Sequence, residues 1–490
     1  MEQPKIIEMR NKMSSDDLCY MSASEAIKEF RKLSLSPVEL LDAIIDRAES
    51  ISDTINPFAD CYFDEARHRA KKAETLYLQK KTNVRPLEGI PLVVKDICEI
   101  SGKRTTRGSL VYGQSVSQQT SAHVQRLIEA GANTFARTTI PEFAWLFTTQ
   151  SRMWGVTHNP WKIGISPGGS SGGSAAALSA GATTLATGSD STGSIRQPAS
   201  QCGIVGYQAP HGRIPNIGMS SFNGYSKPGP MTRTVADCAL MTNVMSGPDY
   251  RDHNSLNKIN QITLDDCDLS GVKIAFSLDL GCYEVSEDVV QETIGAIEAL
   301  RCAGALVEEV PVIWAKDLIE LALGAQEVLF SDYLSEVVNK HPDLVSDYVP
   351  QLLETANSYP IDTYYKSLAT AGDVWRDHIG PIFHKYDAFI TPTTTYTDIP
   401  ATGWQKDTVT VNGKEFTDTE TTMAVLWNMY NRCPVMAVPS GRATSGVPTG
   451  IQIIGRPHDD PTVFRIARAF EKERPWLDCA ERRPNLAIKR

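Results

Sequence analysis

Glycine and serine are concentrated in residues 164–206, where two runs have the composition of a chemically active loop. Residues 166–174 read SPGGSSGGS, and residues 188–198 read GSDSTGSIRQP. Glycine lets the backbone adopt positive φ and approach a ligand closely. Successive N–H groups in such a turn can converge on one point, which suits an anion or a developing oxyanion. The segment therefore predicts either a serine nucleophile beside an oxyanion hole or a phosphate-binding loop.

A serine hydroxyl is a weak nucleophile unless a base lies beside it. None of the nine histidines lies within the segment, His211 lies beyond its end, and no H-x-x-x-H spacing predicts a metal-activated water. Lys95 offers another base, because it follows an apolar run, residues 90–94, that should bury its amine. Burial lowers the pKa of a lysine, whereas the carboxylate of Asp96 would raise it on direct contact. The sequence leaves open which effect is larger.

The surrounding sequence alternates between strand-like and helix-like patterns. Ser22 and Ser36 each precede a helical pattern and are followed three residues later by glutamate, which is typical of a capping box. Further helices are predicted at 122–130, 175–178, 289–300 and 462–470, and strands at 89–94, 133–136, 185–186 and 305–310. This alternation predicts an α/β fold: a single large domain over residues 1–490, with a central mixed, mostly parallel twisted β-sheet covered on both faces by α-helices.

Composition excludes several other functions. The net charge of −10 and the pI of about 5.5 argue against nucleic acid or anionic membrane as a partner. Ten cysteines without a C-x-x-C pair indicate neither a zinc site nor a disulfide scaffold. Residues 1–20 lack the apolar core of a signal peptide, and no apolar run is long enough to span a membrane. We therefore expect a cytoplasmic protein with reduced thiols and no metal.

Three motifs in order resemble the amidase-signature family of amide hydrolases. They are GIPLVVKD at 89–96, PGGSSGG at 167–173 and DSTGSIRQP at 190–198, and a GIQIIG block at 450–455 also matches. The intervals of 75 residues from Lys95 to Ser170 and 24 residues from Ser170 to Ser194 agree with those between the family's catalytic residues. The resemblance extends from about residue 22 to about residue 475. It is weakest over residues 312–430, which should form much of the substrate-pocket wall.

The resemblance implies a Ser–cis-Ser–Lys triad that forms an acyl-enzyme. Ser194 would be the nucleophile, Ser170 would follow a cis peptide bond and relay the proton, and Lys95 would accept it as a neutral amine. The oxyanion hole would consist of the backbone N–H groups of Ser191, Thr192, Gly193 and Ser194. No cofactor is implied. The substrate would be a small-molecule amide, and the protein a monomer or homodimer.

Neighbouring residues are assigned supporting roles. The family keeps a serine at the position of Ser171, which with Ser174 otherwise suits a turn and helix start. We expect Asp190 and Arg196 to hold the loop by hydrogen bonds and a charge pair. Cys202 and His211 are expected to be packed side chains.

The chain departs from the family pattern at two places. Thr192 stands where the family often has glycine, and a β-branched residue is tolerable there only if φ is negative. Arg432 and Cys433 replace a glycine that the family usually carries just before the proline at 434. Both changes affect the prediction of substrate more than that of reaction class.

The weakly matching region is rich in aromatic residues, which predict a preference for apolar or aryl acyl and amine groups over charged ones. These residues are Trp314, Phe330, Tyr333, Trp375, Tyr396, Trp404, Trp427 and Tyr430.

Several other interpretations stay open. The same site could cleave carbamates (urethanes) or hydrazides, or the chain could be the glutaminase subunit of a tRNA-dependent amidotransferase. The spacing Gly168-x-Ser170-x-Gly172 also matches the nucleophile elbow of a Ser-His-Asp hydrolase, with Ser170 as nucleophile. A phosphate-cradling loop and a flexible linker are the remaining interpretations of residues 164–206.

Overall fold

A computed structural model of the protein describes residues 13–79, 83–217, 221–258, 261–264, 267–402 and 408–486. Its strands are β1 (Phe58–Cys61), β2 (Pro91–Lys95), β3 (Asn133–Thr138), β4 (Gln150–Ser151), β5 (Gly155–Val156), β6 (Leu185–Asp190), β7 (Val205–Gln208), β8 (Lys227–Thr232), β9 (Lys273–Phe276), β10 (Leu306–Glu309), β11 (Ala388–Pro392), β12 (Thr408–Val411), β13 (Lys414–Thr417), β14 (Val435–Arg442) and β15 (Pro448–Gly455).

The α-helices occupy much of the intervening chain. They are α1 (Ser15–Tyr20), α2 (Ala23–Lys32), α3 (Pro37–Ile55), α4 (Phe63–Leu78), α5 (Ala122–Glu129), α6 (Gly172–Ser179), α7 (Arg196–Cys202), α8 (Val235–Met245), α9 (Glu287–Cys302), α10 (Ala315–Lys340), α11 (Tyr348–Ser358), α12 (Asp362–Val374), α13 (Gly380–Lys385), α14 (Leu426–Met429) and α15 (Asp460–Glu473). None of the described helices is both long enough and apolar enough to cross a membrane.

Eleven strands form one sheet in the order β1-β3-β2-β6-β8-β7-β14-β15-β11-β9-β10. Parallel pairing joins β3, β2 and β6 on one side and β11, β9 and β10 on the other. Among the described strands of this sheet, the remaining pairings are antiparallel and outnumber the parallel ones. One example is the pair of β14 and β15, in which a short connection reverses the chain. The predicted α/β fold around a mixed sheet is confirmed.

Both faces of the sheet are covered. Every residue of β2, β3, β7, β8, β11 and β15 is buried. Because successive side chains of a strand point to opposite faces, such strands need packed layers on both sides. The strands that carry the predicted catalytic motifs therefore lie in the interior of the molecule.

The two helix starts predicted near the beginning of the described chain are confirmed. Ser22 and Ser36 both form capping boxes, with Glu25 and Glu39 respectively, and Pro37 occupies the first turn of α3. The helices and strands predicted from residue 89 to residue 470 are also present, within a few residues of the expected bounds.

The interpretation of residues 164–206 as a flexible linker is wrong, because most of this segment is buried and contains α6, β6 and α7. Its glycines permit close packing. A methyl group on Gly173 would lie 2.4 Å from Oγ1 of Thr139, and one on Gly172 would lie 2.2 Å from Oγ1 of Thr149. The start of α6 is thus packed tightly against Thr139 and Thr149.

Gly173→Ala should lower the midpoint of thermal unfolding. The added methyl group would also meet the Thr139 backbone at 2.6 Å, and overpacking of this kind costs about 1–3 kcal/mol. Gly372→Ala is a matched control in the exposed face of α12, where no atom lies within 4 Å of the new methyl group. Alanine there should leave the midpoint unchanged or raise it, because alanine favours a helix over glycine. Equal midpoints for the two variants would contradict this account of the glycine run.

Candidate active site

Lys95 is the last residue of β2, and its side chain is fully buried. Its Nζ lies 2.8 Å from Oγ of Ser170 and 2.9 Å from Oγ of Ser189, and it donates to the Ser189 carbonyl at 3.2 Å. The parallel pairing of β2 with β6 brings the ends of both strands together and so places Ser189 beside the lysine. The amine therefore contacts two hydroxyls and one carbonyl.

Burial lowers the pKa of Lys95 to about 7, against the opposing influence of Cys98 and Asp190. Asp96 does not contact the amine. Its carboxylate accepts hydrogen bonds from Nε of Arg137 at 3.2 Å and from the backbone N–H of Thr106 at 3.1 Å. Because Asp96 is directed to these partners, the loss of water around the amine dominates, and a large fraction of Lys95 is neutral near pH 7.

Ser170 follows Gly169 through a cis peptide bond, as the resemblance implies. A methyl group on Gly169 would lie 2.6 Å from the carbonyl oxygens of Leu146 and Thr148, so this part of the loop sits tightly against residues 146–148. The two serine runs are joined by a hydrogen bond from the Ser171 N–H to the Ser194 carbonyl at 3.2 Å. Oγ of Ser171 also donates to the Ser189 carbonyl at 3.3 Å. Ser171 thus connects the loop of Ser170 with both β6 and Ser194.

A buried ion pair organises the second run. Asp190 and Arg196 are fully buried, and the guanidinium donates to the carboxylate through Nε and Nη2, each at 3.0 Å. Burial alone would raise the pKa of Asp190, but the charge and hydrogen bonds of Arg196 outweigh it and hold this pKa well below its ordinary value. The arginine also donates to the Ala424 carbonyl and to the side chains of Asn428 and Gln452. The predicted supporting role of the pair is consistent with these contacts.

The same carboxylate shapes the turn between β6 and α7. Asp190 accepts from the backbone N–H of Gly193 at 2.8 Å and from that of Ile195 at 3.1 Å. The Gly193 N–H is therefore occupied in holding the turn, which argues against its predicted place in an oxyanion hole. In the described part of the chain, the N–H groups of Ser191, Thr192 and Ser194 have no protein acceptor. Positive φ falls on Gly193 at 121°, and Thr192 is not among the residues with positive φ, so its β-branched side chain is compatible with the turn.

The serine runs border a cavity of about 110 Å³. Ser170, Ser189, Ser191, Thr192 and Ser194 all line it. Apolar side chains provide much of the remaining wall: Ile97, Phe143, Trp145, Leu146, Phe147, Leu323 and Phe330. The polar residues of that wall are Ser226, Gln326, Glu327, Asp418 and Thr419. The cavity combines a row of hydroxyls with a mainly apolar wall.

Only Phe330 of the predicted aromatic wall lines this cavity, and Trp404 lies outside the described residues. Trp375, Trp427 and Tyr430 pack on one another instead, with ring centroids 5.3 Å apart for Trp375 and Tyr430 and 6.3 Å apart for Trp427 and Tyr430. Trp314 stacks on His378, Tyr333 hydrogen-bonds to Arg107 and Tyr112, and Tyr396 packs beside β12 and β13. Sequence position alone does not distinguish a ring that faces a cavity from one that fills a core.

A model of the family described as Amidase matches residues 39–464. An acylamidase of Rhodococcus erythropolis is 31% identical to the chain over 478 residues, covering 95% of this chain and 98% of that protein. The chain belongs to the amidase family. A glutamyl-tRNA(Gln) amidotransferase subunit from a Geobacillus strain is 30% identical, with 92% of this chain and 96% of that protein covered. The crystal structure of a bacterial aryl acylamidase of the amidase-signature family superposes with a TM-score of 0.85 at 25% identity, covering 93% of this chain and 97% of that one.

This amidase-signature enzyme is a hydrolase of amide C–N bonds. The nucleophile-elbow interpretation does not fit the amidase site, because the partner of Ser170 is a lysine and no histidine lines the cavity among the described residues. Cys202 is a packed thiol whose pKa burial raises well above its ordinary value. His211 is buried but does not line the cavity, and burial lowers its pKa to about 4.

Sequence reasoning missed two polar neighbours in the amidase core. Ser189 contacts Lys95, but an inward serine in an apolar strand has no distinguishing pattern. Lys227 lies opposite Asp190 in the pairing of β8 with β6 and is almost fully buried. In the described part of the chain its Nζ has no hydrogen-bond partner, and burial lowers its pKa to about 7 against the charge of Asp190. Only the strand register brings this second amine beside the ion pair.

Asp190→Asn should lower the free energy of unfolding by about 3–5 kcal/mol, because it leaves the buried guanidinium of Arg196 without a counter-charge. The measurement is the urea midpoint of the amidase. Glu336→Gln removes one partner of the exposed pair with Lys340 and serves as the control, for which the midpoint should not change. A midpoint for Asp190→Asn equal to that of the control would disprove the structural role of the pair.

Proposed function

We propose that the protein hydrolyses small amides with aryl or apolar acyl or amine groups through an acyl-enzyme on Ser194. Ser170 transfers protons between Ser194 and Lys95. The observation that carries this proposal is the contact of 2.8 Å between the fully buried amine of Lys95 and the hydroxyl of Ser170. A neutral amine in this position can accept a proton from the serine without a histidine.

The reaction begins when Oγ of Ser194 attacks the amide carbonyl. As the new C–O bond forms, the Ser194 proton passes to Oγ of Ser170, whose own proton passes to Nζ of Lys95. The carbonyl π electrons move to its oxygen. The ammonium of Lys95 then returns a proton through Ser170 to the amide nitrogen. The oxyanion re-forms the carbonyl as the C–N bond breaks, and the amine leaves with the bonding pair. Water attacks the resulting ester with the same proton path and releases the acid.

The oxyanion forms beside the turn between β6 and α7. The amides of Ser191, Thr192 and Ser194 have no protein acceptor in the described part of the chain and belong to cavity-lining residues, so they are the proposed donors. Loss of one oxyanion donor typically reduces kcat by about 10²–10³. Asp190 contributes indirectly, because its bonds to Gly193 and Ile195 fix the turn that carries these donors.

The proposed substrate class rests on the cavity wall. Phe143, Phe147 and Phe330 present apolar surface in the same cavity as Ser194. An apolar wall favours an aryl or alkyl group, because burial of apolar surface is favourable and burial of an unpaired charge is costly. The similarity to an acylamidase and to an aryl acylamidase supports the same choice.

Two other activities use the same acyl-transfer chemistry. Similarity to the glutamyl-tRNA(Gln) amidotransferase subunit favours glutamine hydrolysis as the second candidate, with ammonia passed to a partner protein. Carbamate or hydrazide cleavage would need only a different leaving group. The apolar wall favours the aryl or apolar amide over the polar side chain of glutamine.

Ser194→Ala should abolish hydrolysis and acylation. We expect the wild type to release amine from anilides faster than it releases ammonia from glutamine. After brief exposure to substrate, the peptide that contains Ser194 should gain the mass of the acyl group. The measurement is mass spectrometry of intact and digested protein with anilides, carbamates, hydrazides and glutamine. Ser174→Ala is the control, because Ser174 is a buried serine of the same segment that hydrogen-bonds to Thr138 and Thr187 and does not line the cavity. Acylation that persists in Ser194→Ala would overturn the assignment.

The value of kcat/KM should rise with pH, with a midpoint of about 7. Lys95 must be neutral to accept the proton, and below its lowered pKa the ammonium predominates, so activity is lost as the pH falls. Lys95→Arg keeps the positive charge at all these pH values and should be inactive throughout, while its circular dichroism spectrum should match that of the wild type. A flat profile between pH 5 and pH 9 would contradict a neutral lysine base.

A further inference from the structure

One face of α10 enters the cavity. Leu323, Gln326, Glu327 and Phe330 are spaced i, i+3, i+4 and i+7, so they lie along one stripe of the helix, and all four line the same cavity as Ser194. Two members of this stripe are apolar and two are polar. A mainly apolar cavity thus contains a polar pair at the middle of its helical wall.

Gln326 has unused hydrogen-bonding capacity. Its side chain is 5% exposed, and in the described part of the chain neither the amide nitrogen nor the amide oxygen has a hydrogen-bond partner. A buried polar group without a partner is unfavourable by about 1–3 kcal/mol, and such groups in proteins are nearly always satisfied. A substrate group that donates to the oxygen and accepts from the nitrogen would satisfy both atoms.

Glu327 is held beside it. The indole N–H of Trp145, another residue of the cavity wall, donates to one carboxylate oxygen of Glu327 at 3.0 Å. This bond connects α10 to the loop of residues 143–147 and fixes the carboxylate at the cavity. Burial also raises the pKa of Glu327 to about 7. Its other oxygen can accept from an N–H group of a ligand.

We propose that Gln326 and Glu327 form a specificity subsite for a second amide group in the substrate. The C=O of a secondary amide can accept from the carboxamide nitrogen of Gln326, and its N–H, which points the opposite way, can donate to a carboxylate oxygen of Glu327. The inference rests on the proposed hydrolase function of Ser194 and narrows its substrates to apolar or aryl amides that carry a further amide group. The second amide is bound and not cleaved.

The test compares substrates that differ only in this group. On the acyl side, N-acetylglycine anilide is paired with pentananilide, in which two methylenes replace the second amide. On the amine side, 4-(methylcarbamoyl)acetanilide is paired with 4-propylacetanilide. For each variant, kcat/KM for the substrate with the second amide is divided by kcat/KM for its partner without it, and this ratio is compared with the wild-type ratio. Intrinsic differences in leaving-group reactivity then cancel.

Gln326→Leu should lower this ratio by about 10-fold or more in one of the two pairs, because the second amide is left buried without its partner on Gln326. Hydrolysis of the partner without the second amide should stay within about 3-fold of wild type. Glu327→Gln, which removes the charge but keeps an oxygen for Trp145, should lower the same ratio by a smaller factor. Leu329→Met, on the exposed side of the same helix and outside the cavity, is the control and should leave both ratios unchanged.

Unchanged ratios in Gln326→Leu for both pairs would overturn the subsite. A parallel loss on both members of a pair would show that Gln326 supports the structure instead, and would also overturn it. The underlying function is tested separately: an inactive wild type on all four anilides would refute the proposed substrate class and with it the subsite, and an active Ser194→Ala would refute the acyl-enzyme on Ser194.

Discussion

The removal of one lysine amine from water is the constraint on which the rest of the site depends. An exposed Lys95 would be an ammonium and could not accept a proton. Burial is achieved by placing the residue at the end of an interior strand whose every side chain is packed. The nearest carboxylate in sequence, Asp96, is bound to Arg137 and Thr106, and the more distant charge of Asp190 does not outweigh the burial of the amine. The packing of the sheet therefore determines the protonation of Lys95.

The ion pair of Asp190 and Arg196 has a different role. It fixes the turn after β6 by accepting from backbone N–H groups, and it connects that turn to side chains that are 238 and 256 residues distant in sequence. A buried pair of this kind adds little net stability over apolar packing, but it specifies one arrangement of the groups bound to it. The serine loop gains its geometry from this network.

Much of this could be predicted from local sequence. Apolar runs, capping boxes and glycine-rich turns are short-range signals, and they located β2, the helix starts and the two serine runs. The order of the strands, the position of Lys227 opposite Asp190 and the inward hydroxyl of Ser189 depend on pairings between distant segments. The cavity wall was the least predictable part. The rings of Trp375, Trp427 and Tyr430 fill a core, whereas residues 143–147 form part of the wall without any pattern that identifies them.

The proposed reaction and the proposed recognition of the substrate involve different parts of the molecule. The proposed proton-transfer groups belong to the central sheet and its adjoining turns, whereas α10 packs mainly on the helices α11 and α12. A small displacement or repacking of this helical layer would reshape the substrate cavity and leave the spacing of the reacting atoms intact. Selection could therefore alter what the enzyme accepts through changes in one outer layer, without rebuilding the machinery that breaks the bond.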